Sequence, residues 1–186
     1  MNITIEKWLP DLMPRLPGAT EELILAETLA TIRELCEDGR AWVEEVGPYH
    51  VNDKGVIYID PLFQDSRTGY VLQLRVDGRG IPFEMVDTGT IRPLYNSVNG
   101  KFTVIVSFVP LHARTRLPQM FWTHWRDAVI DGVCYRMMTM PSKPWSSAQG
   151  AMLNGRRFRN HVKRCRMITK HMTQGEHPWR FPRSAM

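Results

Sequence analysis

The sequence predicts a mainly α protein with a β insertion (α+β): a helical bundle of three long helices, a small antiparallel β sheet or open barrel let into it, and an extended C-terminal tail. Three observations predict this. Apolar residues recur at steps of three and four through residues 20–46, 117–140 and 151–172. Residues 49–111 change period, to runs of β-branched and aromatic residues separated by hairpin-length gaps. Beyond Met172, Pro178 and Pro182 forbid a helix. The expected organisation is one domain over 1–173, with the bundle at 1–48 and 112–173 and the insertion at 49–111, followed by a docking tail at 174–186.

Prolines at 10, 14 and 17 prevent one long N-terminal helix. Ile5, Trp8, Leu9, Leu12 and Met13 suit a short amphipathic turn that docks on the body. Thr20 is an N-cap, with Glu21 and Glu22 favourable at the positive end of the helix dipole. The first long helix is expected to reach Val46, where Gly47-Pro48 ends it. Its buried stripe is Leu25, Leu29, Ile32, Cys36 and Val43, its acidic face Glu27, Glu34, Asp38 and Glu45, and Gly39 a weak point inside it. In the insertion, 56–59, 70–76, 81–85 and 101–109 read as strands, with turns at Asp77-Gly78 and Asn99-Gly100; 70–76 and 102–109 are expected at the centre. Pro118 suits the first position of the second helix. Trp122, Trp125, Val129, Val133 and Met140 line its inner side, and Ala128 and Gly132 leave room for a neighbouring helix. Trp122, Trp125 and Val129 are expected against the 25–36 face and against Phe158 and Val162.

The third helix separates its residue types. Ala151, Gly155, Phe158, Val162, Cys165, Thr169 and Met172 form a core face; Arg156, Arg159, Lys163, Arg166 and Lys170 recur at the same steps, displaced around the helix. Between Gly150 and Gln174 stand seven Arg or Lys and no Asp or Glu. A solvated surface helix mixes signs, because like charges one turn apart repel. The unmixed face therefore points to an acidic partner, with a merely solvated face as the alternative. The tail offers Pro178, Trp179, Arg180, Phe181, Pro182 and Arg183. Prolines pre-extend such a segment, and Trp is enriched in interface hot spots. It reads as a peptide that orders in a partner's groove; the alternative is that Trp179 folds back as a C-terminal cap.

The totals narrow the function. The net charge of +5 is unevenly spread: residues 112–186 hold 14 Lys and Arg against 3 Asp and Glu, and residues 1–111 hold 10 against 16. Such asymmetry fits two ends that meet different surfaces, or the basic end of one copy meeting the acidic part of another. Cys36, Cys134 and Cys165 are odd in number and sit in apolar patterns, as buried free thiols in a reducing compartment do. No apolar run approaches a membrane span, and no signal peptide is expected. The histidines at 50, 112, 124, 161, 171 and 177 form no HExxH pair and no zinc-spaced ligand set, Gly78-Arg79-Gly80 lacks a phosphate-loop context, and no serine sits in a GxSxG elbow. Asp60, Asp65, Asp77 and Asp87 read as turn formers rather than a cation site. No catalytic residue, metal or cofactor is expected.

The order of features resembles the head–tail adaptor, or connector, family of tailed bacteriophages. The likeness starts at Leu16-Pro17-Gly18-Ala19 before an acidic-faced helix and Arg40-Ala41-Trp42. It continues through Leu74-Arg75-Val76-Asp77-Gly78 and Leu117-Pro118. Its most specific part is the Met140-Pro141-Ser142-Lys143-Pro144-Trp145 segment, which ends the run from Arg136; the last helix, with Phe158 and its basic series, completes it. It spans about residues 16–172, and the β insertion departs from the family's usual pattern. The resemblance implies a structural virion protein of the neck between head and tail, assembled in the host cytoplasm. It implies a ring beneath the portal, of twelve neighbouring copies, with the C-terminal segment embracing the portal. The other end receives the downstream tail or nozzle protein, and genomic DNA passes through the channel. Such a heterologous ring needs two different complementary surfaces per subunit. The competing expectation from the residues is a small basic nucleic-acid-binding protein using the 151–172 helix, although few Asn or Gln accompany the basic residues to read base edges. An enzyme is a third and poorer reading.

Overall fold

The computed structural model describes residues 2–60, 65–94, 100–112 and 116–174. Its elements in chain order are β1 (Asn2–Thr4), a 3-10 turn (Ile5–Trp8), α1 (Leu9–Leu12), a second 3-10 turn (Met13–Arg15), α2 (Glu21–Gly39), β2 (Val43–Tyr49), β3 (Ile57–Tyr58), β4 (Ser66–Val76), β5 (Arg79–Ile81), β6 (Phe83–Asp87), β7 (Thr90–Pro93), β8 (Phe102–Pro110), β9 (Arg116–Pro118), α3 (Met120–Met138) and α4 (Ala148–Gln174). The strands form three antiparallel sheets, in the orders β1-β9, β2-β8-β4-β5 and β3-β7-β6.

This architecture corrects the expected fold class. The protein is an α+β fold with nine strands among the described residues, about 45% helical and 30% strand, and not a mainly α bundle of three long helices carrying a small insertion. The reason lies in β8. From Val104 to Pro110 every residue is buried, on both faces of the strand. A strand buried on both faces is part of a core, not of an appendage. Phe108 packs 5.6 Å from Trp42, which also meets Phe121 of α3 at 6.3 Å, and the Phe108 amide donates to the Trp42 carbonyl. Sheet and helices thus share one core. The strands at 70–76 and 102–109 are its inner strands, as their composition suggests.

Three boundaries also differ. α2 stops at Gly39 instead of running to Val46, with Arg40 in the left-handed region (φ 60°) donating its amide to the Cys36 carbonyl. Val43 continues the apolar spacing by chance of register, from within β2. Gly47-Pro48 lies inside β2, an edge strand, at a register shift where a proline costs no ladder bond. Pro118 ends β9, and α3 starts two residues later. The N-terminal turns dock as their pattern suggests: Ile5, Trp8, Leu12 and Leu16 are buried, while Met13 is exposed. Trp122 is displaced from its expected place. It stacks edge-on against Trp8, with Lys7 and Arg126 over its ring.

The three long helices meet at Gly132 of α3. A Cβ there would stand 2.3 Å from Thr31 Cγ2 on α2 and 2.9 Å from the Phe158 ring on α4. Both neighbours are buried, so neither side chain can swing into solvent. Gly132→Ala is therefore expected to lower stability by about 1–3 kcal/mol through overpacking, read as an earlier midpoint in a urea melt. Adding Thr31→Ser, which removes the crowding methyl, should recover part of the loss. An unchanged midpoint in Gly132→Ala contradicts this close junction.

Candidate functional site

The surface best suited to a partner is the outer side of α4. The turn that precedes it explains the Met140–Trp145 segment. Ser146 Oγ donates to the Met140 carbonyl and accepts from the Lys143 amide, Trp145 is buried, and Pro144 lies 3.6 Å from the Cβ position of Gly18. Ser147 then opens the helix, its Oγ accepting from the Gly150 amide. At about 1.5 Å per residue, 27 residues make a rod of roughly 40 Å.

The inner face of the rod is held at several points. Ala151, Gly155, Phe158, Cys165 and Thr169 are buried and Val162 is half-buried, in agreement with their spacing. Gly155 faces the Tyr135 ring and Gly39 faces Cys165, approaches that a larger residue would obstruct. Thr169 Oγ1 also donates to the Arg40 carbonyl. Two further contacts had no signal in the apolar period: Asn154 is buried and donates to the Gly150 carbonyl, and His161 Nε2 stands 3.4 Å from a carboxylate oxygen of Asp131. Polar residues on an inner face are legible only once their partners are in place.

The outer face carries Arg156, Arg159, Lys163, Arg166 and Lys170, all exposed, together with Arg157 and Arg164. Among the described residues no carboxylate lies within ion-pair distance of Arg156, Arg159 or Lys163. Arg166 differs from the rest. It donates to the Asp38 carbonyl and stands 3.7 Å from the Asp38 carboxylate, so it ties α4 to the end of α2. Exposed Met152, Leu153 and Met167 interrupt the cationic face at its two ends. The tail residues Pro178, Trp179, Arg180, Phe181, Pro182 and Arg183 lie outside the described residues, and so does the choice between a docking segment and a cap.

The acidic surface is placed differently from the expected helix face. Glu27 and Glu34 turn inward to one guanidinium: Arg136 of α3 meets Glu27 at 2.5 Å and Glu34 at 3.3 Å. Burial raises the Glu34 pKa, an effect that Arg136 opposes. Glu45 belongs to β2 and stands 3.6 Å from Arg75. Asp38 stays exposed on α2, and further exposed acids stand in the sheets and their turns at Asp53, Asp60, Asp65, Asp77 and Asp87, with Glu84 exposed but paired to Arg92. No group of three His, Cys, Asp or Glu among the described residues has metal-binding geometry, and no helix among them is long and apolar enough to cross a membrane.

An apolar cleft of about 260 Å³ opens beside the C-terminal half of α4, between it, the start of α3 and the entry to β2. Ala41, Trp125, Cys165 and Ile168 are among its walls, His124 also lines it, and Arg40 and Arg164 bring positive charge. A more polar cleft of about 440 Å³ holds Arg15, Asp127, Asp131, Arg157 and His161, a mixed-sign set in which Asp131 and His161 already face each other. No protein-family model matches the chain, and no curated protein matches it either.

Cys36, Cys134 and Cys165 are all buried thiols. Burial pushes the Cys165 thiol up to about 12, and raises that of Cys134 against the opposing pull of Arg15. A thiol so shifted is neutral in mildly alkaline buffer, and the thiolate is the nucleophile. Ellman's reagent should therefore find no reactive thiol in the native chain and all three after denaturation. Rapid native labelling of Cys165 contradicts this packing.

Proposed function

We propose that the protein is a structural head–tail adaptor of a tailed bacteriophage: a ring-forming virion protein of the neck that sits beneath the portal, joins the capsid to the tail and lines the DNA channel. The observation that carries this reading is the exposed, unmixed cationic face of α4, presented on a rod anchored along its inner side. It follows directly on the Met140–Trp145 turn, the most specific part of the resemblance to the adaptor family. A ring subunit needs two unlike surfaces, and the acidic sheet region together with the basic α4 face supplies a pair. A basic surface near a channel also suits passing phosphates. The partners are the portal protein, neighbouring copies, the downstream tail or nozzle protein and the genome. In this reading the segment Pro178–Arg183 docks on the portal.

The same face supports a second reading, a small nucleic-acid-binding protein that uses α4 against phosphates. The two separate by experiment. The chain is mixed with its cognate portal and imaged by negative stain, alongside Arg159→Glu/Lys163→Glu and a chain truncated after Gln174. The adaptor reading expects rings on the portal for the parent. It expects monomers that melt like the parent but assemble poorly for the charge reversal, and a nearly unchanged melting temperature with lost portal binding for the truncation. No portal binding by the parent, together with salt-dependent DNA affinity of the monomer, rejects the adaptor and favours the second reading.

A further inference from the structure

The apolar cleft beside α4 has walls of Ala41, Trp125, Cys165 and Ile168 and positive charge from Arg40 and Arg164. Arg40 lies over the Tyr70 ring at 4.8 Å, and among the described residues Arg164 has no carboxylate partner. Such a cleft selects an occupant that is apolar at its centre and acidic at its flanks. The chain's own Pro178–Arg183 segment is a poor match, because Arg180 and Arg183 would be brought to a rim that is already cationic. Exposed Met152, Leu153 and Met167 fail for the same reason, standing among the arginines of α4.

One exposed apolar pair has the opposite surroundings. Met85 and Val86 of β6 are 46% and 48% exposed, and the residues on either side of them, Glu84 and Asp87, are exposed carboxylates. β6 is an edge strand, in the order β3-β7-β6, so among the described residues its outer edge pairs with no further strand. Glu84 stands 3.4 Å from Arg92 with both side chains about half exposed, a pairing that costs little to exchange.

We propose that the Glu84-Met85-Val86-Asp87 strand of one copy docks in the α4 cleft of the next, with Val86 entering the apolar part and Glu84, on the same face of the strand, facing Arg40 and Arg164. Strand and cleft are different surfaces, so the contact is heterologous and propagates from copy to copy. This deepens the adaptor reading and rests on it for closure of the contacts into a ring. The contact itself is testable without a portal.

The test is photo-crosslinking of the full-length chain with p-benzoylphenylalanine in place of Val86, irradiated at high protein concentration, with adducts mapped by mass spectrometry. The expected result is intermolecular adducts within residues 120–125 or 164–169. Their yield should fall about tenfold with Arg164→Glu on the receiving copy, as an interfacial charge pair is lost and reversed. It should rise again when the probe-bearing copy carries Glu84→Arg. Arg164 and Glu84 are exposed, and unchanged circular dichroism checks that these variants fold. Adducts within one chain, adducts on other surfaces, or no intermolecular adducts overturn the proposal. Adducts in the cleft without portal binding keep the contact and reject the adaptor; portal binding without them does the reverse.

Discussion

The packing of this protein depends on the absence of a side chain at Gly132. Thr31 of α2 and Phe158 of α4 both occupy the space that a Cβ would take, so the three long helices approach one another more closely there than any other residue permits. Gly39 against Cys165 and Gly155 against Tyr135 repeat the device at two more points along α4. Close approach brings dispersion and exclusion of water, both of which fall off steeply with separation. It also leaves α4 little freedom to rotate about its axis. A helix fixed in this way presents the same residues outward in every copy, which is what a repeated interface requires.

The sheets extend that constraint rather than hang from it. β8 is buried on both faces and contacts the helices through Trp42, Phe108 and Phe121. The N-terminal turns cover the same end of α3, through Trp8 on Trp122 and the two hydrogen bonds from Arg126 to Asp11. Acids that face α3, Glu27 and Glu34, are neutralised by Arg136 within the fold. On the outer side of α4, Arg156, Arg159 and Lys163 are exposed with no carboxylate in reach among the described residues, and the adaptor reading draws on these.

Much of α4 was legible because one period served both faces: steps of three and four place Phe158 and Cys165 inward and Arg156, Arg159 and Lys163 outward. The fold class was not, because the period of residues 49–111 marks strands without reporting how deeply they sit. The apolar run Val104–Val109 already carried the signal of a strand covered on both sides. The end of α2 was signalled by Gly39, but Val43 kept the period going from inside a strand. The pairing of β1 with β9, the seat of Trp122 on Trp8 and the tie from Arg166 to Asp38 join residues more than a hundred positions apart, and no local pattern reports them. The cleft beside α4 is of the same kind, assembled from residues 40–43, 120–125 and 164–169.

The central claim is that the outer face of α4 is an interface and not a solvated surface. It is tested most directly by labelling arginine with a dicarbonyl reagent, in the free chain and in the chain assembled on its portal, with Arg156, Arg159 and Arg164 followed individually by mass spectrometry. The account predicts labelling of all three in the free chain, where they are exposed, and strong protection of this set on assembly. Equal labelling in both states, with assembly verified in the same sample, contradicts it.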